Sequence, residues 1–293
     1  MSSYFTTKLP PRFDKFGHKI QIHRNLCNTT YKIQILLTFA KKIILRTQNI
    51  TMNLEEALHF RRSVRRFITN KALDTDKVKH CIELATLAPN SSNMQLWEFY
   101  HITDRELINK LAYASFSQPA VSTANQLVVF VTRQDLHRRR AKQNIEFESG
   151  NIIRHSPTDS HERRVKARSM YYNLAIPFLY ARFFGLLGMF RKLLSLSVTI
   201  FRPMFIETSE AEQRAVLHKT CALAAQTFMI AMANEGYDTC PVEGFDSRRV
   251  KKLLKLPCAA EINMIISCGY RDGNKGIWGE RFRVPFEEVY RKM

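Results

Sequence analysis

Apolar residues recur at helical spacing in several stretches of the chain, and each stretch predicts an amphipathic helix. The first helix begins after Asn53, a residue type that caps helix N-termini, and has Glu55 and Glu56 in its first turn. A second helix begins at residue 75 or 76 and ends before Pro89. Further helices are predicted over 105–114, 210–234 and about 247–254. The helix at 210–234 is apolar over much of its circumference, so we expect it near the centre of the fold.

Short apolar runs predict strands between these helices. Residues 127–132 and 261–268 are apolar runs bounded by polar residues, which is typical of buried strands. Residues 97–102 alternate more and follow a polar loop, so they predict a third strand. The chain therefore combines helices with at least three strands.

The first fifty residues differ from the rest, because they hold nine Lys and Arg against a single acid, Asp14. Residues 31–46 form a basic amphipathic stretch that is interrupted too early for a secretory signal. A transit peptide, a membrane-surface helix and a misassigned start at Met52 are the alternatives. We favour the last, because a well-formed helix start follows Met52. The predicted organisation is an extension at 1–51 and one domain at 52–293.

An unusual segment at about 137–208 interrupts that domain. Residues 137–168 are highly charged and predict a solvated helix or a mobile insertion. Residues 170–206 are apolar and aromatic, yet four cations interrupt them: Arg182, Arg191, Lys192 and Arg202. No charge-free run therefore approaches the ~20 residues of a membrane span. The segment is interpreted as a lid over an active site, a dimer arm or an interfacial helix pair. Burial in the fold or a dimer is the default expectation, and peripheral membrane contact is the alternative.

Composition narrows the function classes. The 293-residue chain carries a formal charge of +19, which calls for an anionic partner such as phosphate ligands, an acidic membrane or nucleic acid. No nucleic-acid-binding motif accompanies the charge, so no nucleic-acid partner is predicted. The six cysteines show neither a disulfide framework nor zinc spacing, so we predict no metal and a cytoplasmic protein. The glycines form neither a G-x-G-x-x-G motif nor a P-loop.

Four arginines lie within the six residues from 61 to 66, around Ser63. If this stretch ended a helix, Arg61 and Arg65 would share a face and repel each other. An anion would neutralise them, and arginine suits a phosphate because its planar fork donates two parallel hydrogen bonds. A solvated basic face is the alternative interpretation of the cluster taken alone.

Three further motifs favour a ligand site. The loop 88–97 is rich in amides and hydroxyls, which suit a planar heterocycle, although such residues also favour ordinary turns. Gly244 follows the sequence Pro-Val-Glu and permits close approach of bare backbone to a ligand. Arg281 and Arg283 lie two apart, so in extended structure both point to one side.

In this order, the motifs R-R-S-V-R (61–65), A-P-N-S-S-N-M-Q-L-W (88–97), P-V-E-G-F (241–245) and R-F-R-V-P (281–285) resemble the nitroreductase family of FMN-dependent oxidoreductases. The resemblance covers 52–293 apart from about 137–208. It implies an α+β fold in which a mixed, mainly antiparallel sheet is surrounded by helices. It also implies an interwoven homodimer with FMN at the interface.

The resemblance implies roles for particular residues. The 61–65 element would hold the FMN phosphate and the polar edge of the flavin, with the basic pair near the C-terminus on the same phosphate. The 88–97 loop would reach the flavin of the partner subunit, and the 241–244 segment would lie over the flavin face, with a backbone N–H near Glu243 towards N5. The implied FMN-binding residues are Arg61, Arg62, Ser63, Arg65, Pro89, Asn90, Ser91, Asn93, Gln118, Pro241, Val242, Glu243, Gly244, Arg281 and Arg283.

The implied reaction is ping-pong hydride transfer. NADH or NADPH would reduce the flavin at N5, and a small acceptor such as a nitroaromatic or quinone would then take the electrons. Because FMN carries the redox chemistry, no catalytic side chain is predicted. A membrane-surface flavin-binding protein with a specialised or minimal activity is the second hypothesis.

Overall fold

A four-stranded antiparallel sheet forms the centre of the fold in the computed structural model, which describes residues 52–293. The strands, in the spatial order β1-β2-β4-β3, are β1 (Trp97–Ile102), β2 (Gln126–Thr132), β3 (Asp238–Val242) and β4 (Glu261–Gly269). The edge strands are therefore β1 and β3. Met52–Met293 form one compact unit, and the predictions for residues 1–51 lie outside the described residues.

Helices lie on both faces of the sheet. They are α1 (Leu54–Phe60), α2 (Thr75–Ala85), α3 (Arg105–Ala114), α4 (Pro119–Ser122), α5 (His137–His155), α6 (His161–Met170), α7 (Ile176–Tyr180), α8 (Leu186–Thr199), α9 (Glu210–Asn234), α10 (Ser247–Leu253), α11 (Gly273–Gly276) and α12 (Phe286–Val289). Ser63 adds one parallel bridge to Thr239 of β3. The predicted α+β class, with a mixed but mainly antiparallel sheet surrounded by helices, is confirmed. The predicted homodimer stays a prediction.

Alternate residues of the central strands supply the two halves of the core. On one face, Leu127 and Val129 of β2 pack in a buried cluster with residues of α3 and α10. On the other face, Val128 and Phe130 pack with residues of α2 and α9. Because β2 is buried along its whole length, its sequence is a continuous apolar run rather than an alternating one.

The helix starts follow their sequence signals. Asn53 accepts a hydrogen bond from the Glu56 amide, and the Glu56 carboxylate accepts one from the Asn53 amide, which completes a capping box. The sequence allowed the arginine cluster at 61–66 to be the end of a helix. That interpretation is wrong, because α1 ends at Phe60 and the chain then runs extended. Strand β3 was not predicted, since it contains Pro241; an edge strand tolerates a proline.

The 137–208 segment is mostly helical, from α5 to α8. It packs partly against α9, and Tyr172, Ile176 and Tyr180 form a small buried cluster with Leu217 of that helix. The default expectation was burial of 170–206 in the fold or in a dimer. Within this chain most apolar side chains of α8 are exposed to solvent, so the fold alone does not bury them, and burial in a dimer stays a prediction.

Helix α9 is the one helix within 52–293 that has the length and composition to cross a membrane. It packs against α2 and three strands of the sheet, as the core helix of a globular domain does. Its membrane-like composition is therefore weak evidence for a span, and the prediction that 210–234 forms a central helix is confirmed.

We expect Gly269→Ala to destabilise the fold by about 1–3 kcal/mol, because it overpacks the core. A Cβ added to Gly269 would lie 2.5 Å from Asn125 Oδ1 and 2.6 Å from Phe67 Cδ1. The control is Gly150→Ala in α5, where the nearest atom is the flexible Arg154 Nη1 at 3.0 Å. That change should be neutral or stabilise the fold by about 0.5–1 kcal/mol. Urea unfolding of both variants tests the pair, and equal effects would contradict the expectation.

Acid should weaken the attachment of β4 to the helices around it. Glu261 accepts hydrogen bonds from Arg182 and His218, at 3.0 and 3.1 Å, and from Arg214. These hydrogen bonds, that of His218 first, hold the Glu261 pKa well below its ordinary value of 4.5, although burial opposes them. A lowered pKa stabilises the folded state above the ordinary value, and this stabilisation is lost as the pH falls below it.

We therefore expect the free energy of unfolding to fall more steeply below pH 4.5 in the wild type than in Glu261→Gln, which cannot titrate. Urea unfolding at a series of pH values measures the two slopes. Parallel curves would show that Glu261 does not contribute to acid sensitivity.

Candidate functional site

An arginine-lined cavity of about 320 Å³ joins two distant parts of the chain. One wall is the extended segment after α1, and the other is the segment before α12. The predicted site residues that line it are Arg61, Arg62, Ser63, Arg65, Arg281 and Arg283. Trp278, which the sequence analysis did not single out, also lines the cavity and is 94% exposed. We call this cavity the arginine pocket.

Backbone hydrogen bonds to the edge of the sheet fix the extended wall of the pocket. The Val64 amide donates to the Thr239 carbonyl at 3.1 Å, and the Arg65 amide donates to the Gly276 carbonyl at 2.8 Å. The Val64 side chain is fully buried in the core. Since side chains alternate along an extended chain, Arg61, Ser63 and Arg65 lie on the opposite side from Val64.

The pocket concentrates positive charge, because five arginines line it beside a single carboxylate, that of Glu280. Burial lowers the pKa of Arg61, and the neighbouring guanidinium of Arg283 lowers it further. Within the described part of the chain, no carboxylate lies within 4.0 Å of the guanidinium nitrogens of Arg61, Arg65 or Arg283. Arginines kept together without a carboxylate partner are suited to bind an anion, and their forked donors match the oxygens of a phosphate.

The two C-terminal arginines have different partners. The Arg281 guanidinium donates to the carbonyls of Leu58 and His59, at 3.1 and 3.0 Å, and to that of Arg61. These carbonyls lie at the C-terminal end of α1, where a cation satisfies groups that have no helical partner. Arg281 therefore anchors α1, and its donors are largely occupied. Within the described residues, the Arg283 guanidinium donates one hydrogen bond, to the carbonyl of the neighbouring Phe282, and none to a side chain.

The 241–244 segment begins in β3 and meets Gln118 beyond the end of the strand. The Gln118 side-chain amide donates to the Gly244 carbonyl at 2.8 Å, across 126 residues of sequence. Val242 is buried, whereas Glu243 and Gly244 are exposed and Pro241 is half-buried. Because Ser63 pairs with Thr239 two residues before Pro241, the arginine pocket and this segment lie along the same strand. The structure thus brings Gln118 and the 241–244 segment to the same edge of the sheet as the arginines.

The 89–95 loop is held in an unusual conformation by neighbouring side chains. Ser92, Asn93 and Gln95 have positive φ values of 54°, 51° and 47°, a region that side chains other than glycine rarely adopt. The Asn90 side chain accepts from the Gln95 amide at 2.8 Å. Pro89 and Ser91 flank Asn90 in the loop, and the side chain of Ser91 lies against the Tyr180 hydroxyl. Asn93 exchanges hydrogen bonds of 3.2 and 3.1 Å with Asn144 of α5.

This loop does not reach the arginine pocket of its own chain. Trp97, just after the loop, pairs with Thr132 at one end of β2, whereas Thr239 pairs with Cys268, which faces Gln126 at the other end of β2. The two places also lie on opposite edge strands, roughly 14 Å apart across three strand spacings. Pro89, Asn90, Ser91 and Asn93 therefore occupy the diagonally opposite corner of the sheet from the arginines.

Two residues that the sequence analysis missed hold the pocket wall to the sheet. Asp238 is 4% exposed and accepts from the Arg271 amide at 2.8 Å and from the Arg271 guanidinium. Arg271 also donates to the Phe60 carbonyl at 3.1 Å, where the extended segment begins. The only sequence signal was a lone acid at the start of an unrecognised strand.

Comparison with known proteins identifies the class. The profile of the Nitroreductase family matches residues 58–270, so the chain belongs to that family. It is 20% identical to MhqN of Bacillus subtilis, named as a candidate NAD(P)H nitroreductase, over 80% of this chain and 95% of MhqN.

Solved structures share the fold. A nitroreductase family protein from Streptococcus pneumoniae has a TM-score of 0.57 and 25% identity, with 82% of this chain and 100% of that chain covered. A protein of Exiguobacterium sibiricum solved in complex with FMN has a TM-score of 0.58 and 20% identity, with 83% and 98% covered.

Proposed function

We propose that the protein is an FMN-dependent NAD(P)H oxidoreductase that binds the FMN phosphate in the arginine pocket. The observation that carries the proposal is the convergence of Arg61, Arg65 and Arg283 without a carboxylate partner among the described residues. Their donors fit a phosphate dianion in charge and in geometry. Membership of the nitroreductase family and the FMN-bound relative of the same fold support it.

The residues of the chain bind and orient the cofactor. Arg61, Arg65 and Arg283 neutralise the phosphate, and the exposed hydroxyl of Ser63 is available to donate to it. Gln118 positions the backbone of Gly244, and a Cβ on Gly244 would lie 3.2 Å from Gln118 Nε2, so glycine permits this close contact. FMN, when bound, supplies the hydride chemistry between NADH or NADPH and an acceptor. The protein therefore needs no catalytic side chain of its own.

The finer proposal is a ping-pong reaction in a cytoplasmic homodimer, with a small organic acceptor of the nitroaromatic or quinone type. The position of the 89–95 loop supports the dimer. Its polar groups lie at the far corner of the sheet from the arginines of the same chain, so they can meet a flavin only if it is bound by another copy.

The absorption spectrum of the purified protein tests the proposal. We expect a yellow protein whose released chromophore has the mass of FMN, and whose colour is bleached without air by NADH or NADPH. Titration with each nucleotide identifies the donor, and re-oxidation by a quinone or a nitroaromatic tests the acceptor class. A colourless protein that takes up no added FMN would overturn the proposal.

The second candidate is a membrane-surface flavin-binding protein with a specialised or minimal activity. The exposed apolar face of α8 favours it.

A further inference from the structure

Helix α8 packs with its polar side inward. The side chains that face the protein are Gly188, Arg191 and Ser195, all of them buried. The opposite face exposes Leu186, Met189, Phe190, Leu193, Leu194 and Leu196, each between 45% and 59% exposed. A surface helix of a globular protein normally has the reverse arrangement. The apolar face is therefore available for an apolar environment outside the described chain.

Specific contacts hold α8 in this orientation. The Arg191 guanidinium is 1% exposed and donates to the carbonyls of Thr208, Phe178 and Ala181, at 2.9, 2.6 and 2.9 Å. A Cβ on Gly188 would lie 2.5 Å from the Glu210 amide nitrogen, so only glycine allows this close approach. Rolling the helix would leave a buried guanidinium and three carbonyls without partners, which is costly. The apolar face is fixed outward.

Exposed apolar residues also lie at both ends of the helix. Phe184, two residues before α8 begins, is 93% exposed, and Ile200 and Phe201 are 78% and 87% exposed immediately after it. The 14 residues of α8 span about 21 Å. Since apolar groups are presented along the whole length and at both ends, the helix is suited to lie flat on a surface.

The segment that carries this face has charge of one sign. The sequence from 163 to 206 contains no Asp or Glu. Arg182 and Lys192 pair with Glu261 and Glu212 of the body, at 3.0 and 2.6 Å. In contrast, Arg163, Lys166 and Arg202 are exposed and have no carboxylate within 4.0 Å among residues 52–293. An apolar helix face within a segment that carries cations and no acids matches the interface of an anionic lipid layer.

We propose that α8 docks flat on an anionic membrane surface, with its apolar face among the lipid chains and the exposed Arg202, three residues past its end, at the phosphate headgroups. A second copy of the chain fits the face less well. A two-fold contact would place this acid-free segment against itself, so the unpaired cations of the two copies would repel each other.

Vesicle flotation of the purified full-length protein tests the proposal. The probes are vesicles of phosphatidylcholine alone and of an equimolar mixture with phosphatidylglycerol. The test variant is Phe190→Ser/Leu193→Ser, and the matched control is Ile153→Ser/Val289→Ser, whose side chains are 62% and 66% exposed outside α8. Flavin content and sedimentation velocity are measured on the same samples.

We expect the wild type and the control to float with the mixed vesicles, and to bind phosphatidylcholine alone more weakly. The test variant should partition at least about tenfold less, with unchanged flavin content. Absence of flotation in the wild type would overturn the proposal, as would flotation of the test variant at the wild-type level. Dissociation of an oligomer by the test variant, without vesicle binding by the wild type, would assign the face to a second copy. Because flotation does not depend on flavin, this result and that of the FMN proposal are separable.

Discussion

Arg61→Ala/Arg283→Ala is expected to lose FMN during purification, with the Kd for added FMN raised roughly 10²–10⁴-fold. Each arginine would donate charge-assisted hydrogen bonds to the phosphate, worth about 1.5–3 kcal/mol. The loss of both contributions corresponds to the expected increase in Kd. Quenching of FMN fluorescence on titration into the apoprotein measures the Kd.

The same variant should leave the flavin-free protein as stable as the wild type or more stable. Burial lowers the pKa of Arg61, and the neighbouring Arg283 guanidinium lowers it further, as expected for two like charges close together. Removing both charges relieves that repulsion. Opposite effects on FMN affinity and on apoprotein stability would distinguish a binding role from a structural one.

Two single variants serve as controls. Arg66 belongs to the same cluster but lies 3.5 Å from Asp272 and does not line the pocket, so Arg66→Ala should retain FMN. Arg281→Ala should instead loosen the end of α1, because Arg281 donates to three carbonyls there. Wild-type FMN affinity in Arg61→Ala/Arg283→Ala, or equal losses in Arg66→Ala, would place the phosphate elsewhere.

That residues 61–65 and 281–283 come together could be predicted from the sequence, because both segments carry arginines that suit one phosphate. The path of the chain was not predicted. A run of arginines after a well-capped helix continues the helical pattern, whereas the structure ends α1 at Phe60 and adds Ser63 to the edge of the sheet. That choice depends on Thr239 and Gly276, which are distant in sequence and provide the backbone partners.

The 89–95 loop and α8 show the same limit in two other ways. Asn93 adopts positive φ while it is bonded to Asn144, a contact that no local propensity encodes. For 170–206 the sequence left a lid, a dimer arm and an interfacial helix pair open, and it did not indicate which face of a helix would be inward. The inward face is decided by Arg191, whose three carbonyl acceptors come from outside the helix. Hydrogen bonds to residues outside the helix thus decide which face of α8 is inward, and the spacing of its apolar residues does not.

Asp238→Ala is expected to lower the free energy of unfolding by about 3–5 kcal/mol, because it leaves the Arg271 guanidinium without its buried partner. Asp238 is 4% exposed and receives the side chain and the amide of Arg271. The control is Glu106→Ala in the exposed pair with Lys110, which should change stability by no more than about 0.5 kcal/mol. Urea unfolding of the flavin-free proteins measures both.

Asp238 should also affect the arginine pocket, since Arg271 connects it to the Phe60 carbonyl and stacks over the Phe60 ring at 4.3 Å. Phe60 is the last residue of α1, so its position determines where Arg61 enters the pocket. We therefore expect Asp238→Ala to weaken FMN binding in the fraction that remains folded, at a temperature well below its transition. Asp238→Asn, which keeps the shape and one acceptor oxygen, should lie between the wild type and Asp238→Ala in both measurements. If stability falls while the FMN affinity of the folded protein is unchanged, the Asp238–Arg271 pair supports the sheet alone, and the pocket is positioned by the backbone bonds to Thr239 and Gly276.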